Sequence, residues 1–195
     1  TGSQSSYVNT TQDGRLPIVD VFDTTQLLWM YQQNYSDIAY RLTPPFFVNK
    51  NPCTYFVKHN ITDHDYFYCE YKKVKEQPTY ERQVLHGKFH NFTGGLGNMH
   101  VVFNGSSNNT YENMTLMYRE PNCSVFLVRY LLKYDNDTII NVPPVCQVFV
   151  PNSHVSVGPT EDCTRYYNQN CTGETTLFYN DTCKNEQEYP TQCDW

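Results

Sequence analysis

The chain has 195 residues, enough for one domain with a sizeable core, and its 39% hydrophobic and 17% charged residues exclude a disordered chain. Its net charge of −6 leaves no basic surface for nucleic acid or an anionic membrane. No apolar run approaches the roughly 18 residues that a membrane-spanning helix needs, and the aromatic content of 15% favours β-strands.

The first part of the chain predicts a flexible arm followed by a helix. Residues 1–16 are polar, which is typical of a loose N-terminal arm, and we expect a single domain over residues 17–195. Leu and Tyr side chains then recur at helical spacing over residues 24–31, and Asp23 or Thr24 stands where an N-cap is needed. This pattern predicts a short N-terminal helix.

The hydrophobic period then changes to two, as expected for strands that are separated by Asn, Asp, Gly and Pro turns. The predicted strands are 36–42, 53–59, 66–71, 80–85, 99–103, 114–118, 123–132 and 145–150. Eight evenly spaced strands indicate an up-and-down barrel or a sandwich. A second helix is predicted over 159–167, with Pro near its start, and a short strand over 175–179.

The cysteines indicate an oxidising compartment. There are eight of them, an even number, and none forms the closely spaced pair of a zinc knuckle. Structural disulfides in a secreted protein are therefore the better interpretation. The cysteines are Cys53, Cys69, Cys123, Cys146, Cys163, Cys171, Cys183 and Cys193.

The glycosylation motif Asn-x-Ser/Thr is several times more frequent than chance allows, which also predicts a secreted, extracellular chain. Each occupied motif is expected to mark a solvent-facing position, because a glycan cannot be buried. The motifs begin at Asn9, Asn34, Asn60, Asn91, Asn104, Asn108, Asn113, Asn122, Asn136, Asn170 and Asn180.

The sequence contains no motif of a hydrolase, a metalloprotease or a nucleotide-binding loop. His86 and His90 stand four residues apart, but exposed histidines are a better interpretation of this spacing than a metal site. The segment Asp63–Asp65 is interpreted as a solvated hairpin tip. We therefore predict no enzyme activity, no metal and no cofactor.

Several short motifs resemble the tick salivary lipocalins of the histamine-binding-protein family, in an order that follows most of the chain. The resemblance implies an all-β fold, an eight-stranded antiparallel up-and-down barrel with a short N-terminal and a C-terminal helix. Such a barrel can hold one small ligand. The matching pieces are Asp23 with Trp29, Tyr40-Arg41-Leu42, Cys53, Asn122–Phe126, Cys146–Phe149, Asp162-Cys163 and Tyr179–Lys184.

The same resemblance implies two disulfides, Cys53 with Cys183 and Cys123 with Cys163. Sequence alone leaves 105 pairings open for eight cysteines. For the remaining four we hypothesise Cys146 with Cys171 and Cys69 with Cys193.

Amine-binding members of the family place acids just after the paired cysteines, where this chain has the neutral Ser124 and Gln147. Alternation puts further apolar or aromatic residues on the same strand faces. If those faces point inward, the wall there is uncharged, which favours a sterol, a fatty acid or an eicosanoid over an amine. The candidate ligand-binding residues are Trp29, Tyr40, Ser124, Phe126, Val128, Tyr130, Gln147 and Phe149.

Two alternatives stay open. Acids such as Asp37, Glu70 or Glu81 could build a site for histamine or serotonin. A host protein could instead bind the outer surface where glycosylation motifs are sparse, at residues 63–90 or 142–166. In each case the expected role is suppression of host defence.

A carboxylate ligand would need a cation in the barrel, for which Arg41, Arg82 and Arg129 are candidates by position. Of these, Arg129 lies on the strand face opposite Ser124 and is expected outside.

Overall fold

The computed structural model describes residues 14–35, 52–74, 77–93, 95–104, 112–133, 139–141, 143–185 and 189–195. Three helices and ten strands lie within these ranges. The helices are α1 (Pro17–Phe22), α2 (Glu161–Asn170) and α3 (Thr182–Asn185). The strands are β1 (Leu28–Tyr35), β2 (Tyr55–Ile61), β3 (Asp65–Lys73), β4 (Tyr80–His90), β5 (Asn98–Phe103), β6 (Glu112–Glu120), β7 (Cys123–Lys133), β8 (Ile139–Asn141), β9 (Val145–Pro151) and β10 (Glu174–Leu177).

Eight of these strands close into an antiparallel barrel. Strands β1 to β7 pair in chain order, and β9 joins β7 on one side and β1 on the other. The two remaining strands lie outside the ring, where β8 pairs with β7 and β10 pairs with β1. This up-and-down topology confirms the predicted barrel.

The predicted helix over residues 24–31 is wrong. The helix ends at Phe22, and β1 begins at Leu28. In β1 the side chains of Leu28 and Met30 join the cluster inside the barrel, while Trp29 joins a second cluster outside it. Because both faces are buried, the apolar run has no strand-like alternation and mimics a helical stripe.

Most other predicted elements are where the sequence indicates. The predicted strands from 53–59 to 145–150 correspond to β2 through β7 and β9, and the second helix corresponds to α2. The Thr160 side chain caps α2 by accepting a hydrogen bond from the Cys163 backbone N–H. The predicted strand over residues 36–42 lies outside the described residues, and β1 takes the eighth place in the barrel.

Two hydrophobic clusters lie on opposite sides of the barrel wall. The inner cluster lies inside the barrel, and α1 closes one end by inserting Phe22 against Tyr66 and Phe126, at ring-centroid distances of 4.8 and 5.4 Å. The outer cluster packs the wall against the C-terminal segment, with Trp29 and Tyr55 at 4.5 Å.

Four disulfides hold this outer layer on the barrel. They join Cys53 to Cys183, Cys69 to Cys193, Cys123 to Cys163 and Cys146 to Cys171, which are the four pairs named from the sequence. In each bridge a cysteine of the barrel strands, or of the segment that leads into β2, is tied to the chain that follows β9. The wall and the C-terminal layer therefore form one covalent unit.

Candidate functional site

The closed half of the barrel interior is packed with aromatic rings, which we call the aromatic floor. Phe22 lies 6.2 Å from Phe89 and 6.4 Å from Phe56, in addition to its contacts with Tyr66 and Phe126. All five rings belong to the inner cluster and are buried. Rings at these separations leave no room for a ligand between them.

Above the floor the inner side chains become polar. Strand alternation carries the inward face of β3 from Tyr66 and Tyr68 to Glu70 and Lys72. Tyr68 stacks on Tyr66, with ring centroids 4.4 Å apart, and leads from the floor to the polar residues. On β6 the inward face of Met114 and Leu116 begins with a third ionisable residue, Glu112.

Three cross-strand pairs continue this arrangement around the barrel, and we call the set with Lys72 the polar layer. Gln147 donates from Nε2 to Gln33 Oε1 at 2.8 Å and to the Tyr130 hydroxyl at 3.0 Å. Among the described residues, the buried Gln83 Oε1 has no hydrogen-bond partner. The pairs are Glu70 with Gln83, Glu112 with Tyr130, and Gln33 with Gln147.

The charges of the polar layer are nearly removed from water. Glu70 is 9% exposed and Glu112 is 7% exposed. Lys72 Nζ lies 2.8 Å from Glu70 Oε2. Burial lowers the pKa of Lys72, but the Glu70 carboxylate, with smaller effects of Glu112 and Glu81, more than offsets this, so the net pKa is raised. Lys72 and Glu70 therefore form a charged, mutually compensated pair.

Glu112 has no such compensation. Burial, and secondarily the negative charge of Glu70, raise the pKa of Glu112 to about 8 against the opposing effect of Lys72. A buried carboxylate without its own counter-ion is costly, so the neutral acid is favoured near pH 7. The polar layer thus holds one ion pair and one proton donor.

The structure brings most of the sequence-predicted site residues onto the inner face. Phe126, Val128 and Phe149 belong to the inner cluster, and Tyr130 packs against it. Gln147 is buried in the polar layer. Alternation along β7 and β9 therefore correctly predicts that these side chains share the inner face of the barrel.

Ser124 is buried on β7, two residues before Phe126, which pairs with Gln147 on β9. It lines a cleft of about 240 Å³ beside α1, together with Phe149 and Arg119. Arg119 is held there by Asp20 at 2.8 Å and by the Pro17 carbonyl at 3.0 Å. Ser124 thus lines this cleft, whereas the Gln147 side chain hydrogen-bonds Gln33 and Tyr130 in the polar layer.

Two sequence candidates are not at the site. Trp29 lies on the outer face of β1, fully buried against Tyr55 and Tyr179, and donates from Nε1 to Asn152 Oδ1 at 2.9 Å. Trp29 thus belongs to the outer cluster, on the face of β1 that points away from the barrel interior. Tyr40 lies outside the described residues.

The uncharged wall expected from the β7 and β9 faces is present on those two strands, whereas β3 and β6 add the buried acids Glu70 and Glu112 to the inner face. The sequence named Glu70 as an alternative acid, and it missed Glu112. The strand was predicted to begin at Met114, whereas β6 begins at Glu112. Extending the alternation by two residues would have placed Glu112 on the same inner face as Met114.

The other charged candidates that the structure describes are exposed. Glu81 is exposed, while Asp37 and Arg41 lie outside the described residues. Arg82 and Arg129 are exposed, and Arg82 hydrogen-bonds the Asp194 carbonyl. Lys72 is therefore the cation that the described residues place beside the two buried acids.

The glycosylation motifs other than Asn34 fall into three groups. Asn60, Asn91, Asn104, Asn170 and Asn180 are exposed, Asn113 and Asn122 are half-buried, and Asn9, Asn108 and Asn136 lie outside the described residues.

Asn34 is the buried motif among the described residues, and the expectation that occupied motifs face solvent predicts that it carries no glycan. It is 6% exposed, and its Nδ2 donates to the Thr172 carbonyl while its Oδ1 accepts from the Cys146 backbone N–H. A glycan on this nitrogen is incompatible with the folded barrel, because it would replace a buried hydrogen bond.

The histidines do not assemble a metal site in the described part of the chain. His86 contacts Asp65 at 2.7 Å and stacks on Phe67, while His90 stacks on His100 at 4.4 Å. Within the described ranges, one close cluster of three potential ligands occurs, Glu120 with Cys123 and Cys163. Its two cysteines are joined in a disulfide, so they cannot act as thiolate ligands.

Comparison with known proteins identifies the fold. No protein-family model matches the sequence, and no curated protein matches it. A solved structure of japanin from Rhipicephalus appendiculatus, bound to cholesterol, aligns over 83% of this chain and 97% of its own, with 11% identity and a TM-score of 0.52. The bovine lipocalin allergen Bos d 2 aligns over 85% and 95%, with 14% identity and a TM-score of 0.50. The chain therefore has a lipocalin fold.

The described residues contain no helix long and apolar enough to span a membrane.

Proposed function

We propose that this protein is a secreted lipocalin that sequesters one small host molecule inside its barrel and thereby suppresses host defence. The four disulfides and the abundance of glycosylation motifs support secretion. The resemblance to tick salivary lipocalins supports the host molecule as the ligand. The protein acts by stoichiometric binding.

The polar layer is the part of the barrel that selects the ligand. The aromatic floor is filled, so the ligand binds above it, against Glu70, Gln83 and Glu112. Two acids and an unsatisfied carbonyl oxygen accept hydrogen bonds from a donor head group, and a cation gains most from them. The neighbouring Tyr68 and Tyr130 rings suit a flat body. These features favour an aromatic amine such as serotonin or histamine.

A neutral lipid is the second candidate. The inner cluster is large and apolar, and β7 and β9 present an uncharged wall. A sterol is the ligand in the japanin structure that shares this fold. The buried pair of acids in the polar layer is the observation that places the amine first.

Calorimetric titration of the purified glycoprotein with serotonin, and native mass spectrometry after incubation with cholesterol, distinguish the two ligands. We expect serotonin to bind, and Glu112→Gln to weaken it roughly tenfold to a hundredfold, the value of a charged hydrogen bond. The matched control Glu174→Gln, on the exposed strand β10, should leave binding unchanged. Stoichiometric cholesterol with no serotonin binding would replace the amine by the lipid.

A further inference from the structure

The buried charges of the polar layer do not balance when every group is ionised. Lys72 is committed to Glu70 at 2.8 Å, and this pair is neutral as a unit. Glu112 is the third ionisable group, and it is as deeply buried as Glu70. In the part of the chain that the structure describes, charge neutrality therefore requires Glu112 either to keep its proton or to meet an external cation.

The groups that face Glu112 confirm this count. From β3 it meets Glu70 and Lys72. On the two strands that pair with β6, Val101 of β5 and Tyr130 of β7 lie opposite Glu112. From β4 the polar layer receives Gln83, and the exposed Glu81 acts electrostatically on Lys72. From β1 and β9 it receives the amides of Gln33 and Gln147. None of these groups supplies a second positive charge.

We infer that the barrel accepts a cationic head group only in exchange for the proton of Glu112. The ammonium ion of the ligand enters the polar layer, Glu112 loses its carboxyl proton to the solvent, and the new carboxylate pairs with the ammonium. One positive charge enters and one leaves, so the buried region keeps its net charge. This inference rests on the proposed function, because it describes how the same site admits an amine.

The exchange makes ligand affinity depend on pH. Below the pKa of Glu112, which is about 8, each unit of pH raises the ionised fraction of this carboxyl group about tenfold. Affinity for an amine that stays charged is therefore expected to rise about tenfold per pH unit and to level off above pH 8. A neutral ligand needs no exchange, and its affinity would follow no such slope.

Titration of the full chain with serotonin at pH 6.5, in two buffers of different ionisation enthalpy, counts the protons released. We expect about one proton per bound serotonin in the wild type and in Glu174→Gln. In Glu112→Gln we expect release near zero and an affinity that changes less than about twofold between pH 6 and 8.

The outcomes separate the two proposals. Serotonin binding without proton release would overturn the exchange and leave the amine site intact. Absence of serotonin binding between pH 6 and 9 would overturn the proposed amine function and the exchange with it. The wild-type measurement decides the matter even if Glu112→Gln fails to fold.

Discussion

At the scale of single residues, the barrel depends on side chains whose chemistry conflicts with their surroundings. Glu112 is an acid buried beside another acid, and Asn34 is a glycosylation motif turned into the protein. Burial decides both, because the groups take the form that leaves no uncompensated charge or hydrogen bond. An acid in the sequence is therefore expected to be ionised, and a glycosylation motif to carry a glycan, only where the side chain reaches water.

Glu112 should make the stability of the free protein fall as the pH rises. Its folded pKa of about 8 lies above the ordinary value near 4.5, so between these limits the folded state binds more protons than the unfolded state. The penalty is absent below pH 4.5 and grows until about pH 8, reaching on the order of a few kcal/mol.

Urea denaturation at pH 5 and pH 8.5 measures this effect. The difference in unfolding free energy between the two pH values should shrink in Glu112→Gln and persist in Glu174→Gln. An equal pH dependence in both variants would show that Glu112 ionises normally in the folded state.

At the scale of elements, the short helix α1 is held at the end of the barrel by the turn before β5. The Ile18 backbone N–H donates to the Leu96 carbonyl at 3.0 Å. Gly97 adopts a φ of +116°, and a Cβ atom there would lie 2.4 Å from Ile18 Cγ2. The turn thus needs glycine twice, for its backbone conformation and for the approach of α1.

Gly97→Ala should therefore displace α1 and the aromatic floor that Phe22 completes. Gly14→Ala is the matched control, since Gly14 also has a positive φ, +80°, but no neighbour within 4 Å of an added Cβ. We expect the control to lose about 1 kcal/mol from backbone strain alone, and Gly97→Ala to lose at least twice as much. Equal losses in thermal unfolding would mean that α1 tolerates the clash.

The sequence predicts most of the strands, including β9, whose seven residues are all buried, but it misses β1. Alternation located Phe126, Val128 and Phe149 on the inner wall. It failed at Leu28–Met30, because the C-terminal layer also buries the outer face there. The ionic state of Glu112 was beyond a pattern argument, since it depends on Glu70 and Lys72 from a strand some forty residues earlier.

At the scale of the whole molecule, the C-terminal layer acts as an outer core for one side of the barrel. The Tyr55 and Tyr71 hydroxyls donate to the carbonyls of Pro190 and Gln192 at 2.9 and 2.8 Å. Cys69–Cys193 fixes the same segment covalently. The inner wall and the outer layer therefore share strands, and loosening one side exposes the other.

Loss of a long-range disulfide should cost more than loss of a short one. Cys53–Cys183 spans 130 residues and Cys146–Cys171 spans 25. Replacing both cysteines of each pair by Ala should lower the unfolding free energy by roughly 4–5 and 3 kcal/mol respectively, under the loop-entropy model. The reverse order in urea denaturation would show that native-state packing, and not loop closure, dominates.

The pairing of β1 with β9, which closes the barrel, affects how the chain folds. It pairs Leu28 with Pro151 and Gln33 with Gln147, residues separated by most of the chain. Loop closure over such distances is slow, and ribosomal synthesis delivers β1 long before β9. Until β9 arrives, β1 and β7 each present an unpaired edge that can join another chain. Refolding at high protein concentration should therefore favour aggregation, and the yield should improve on dilution.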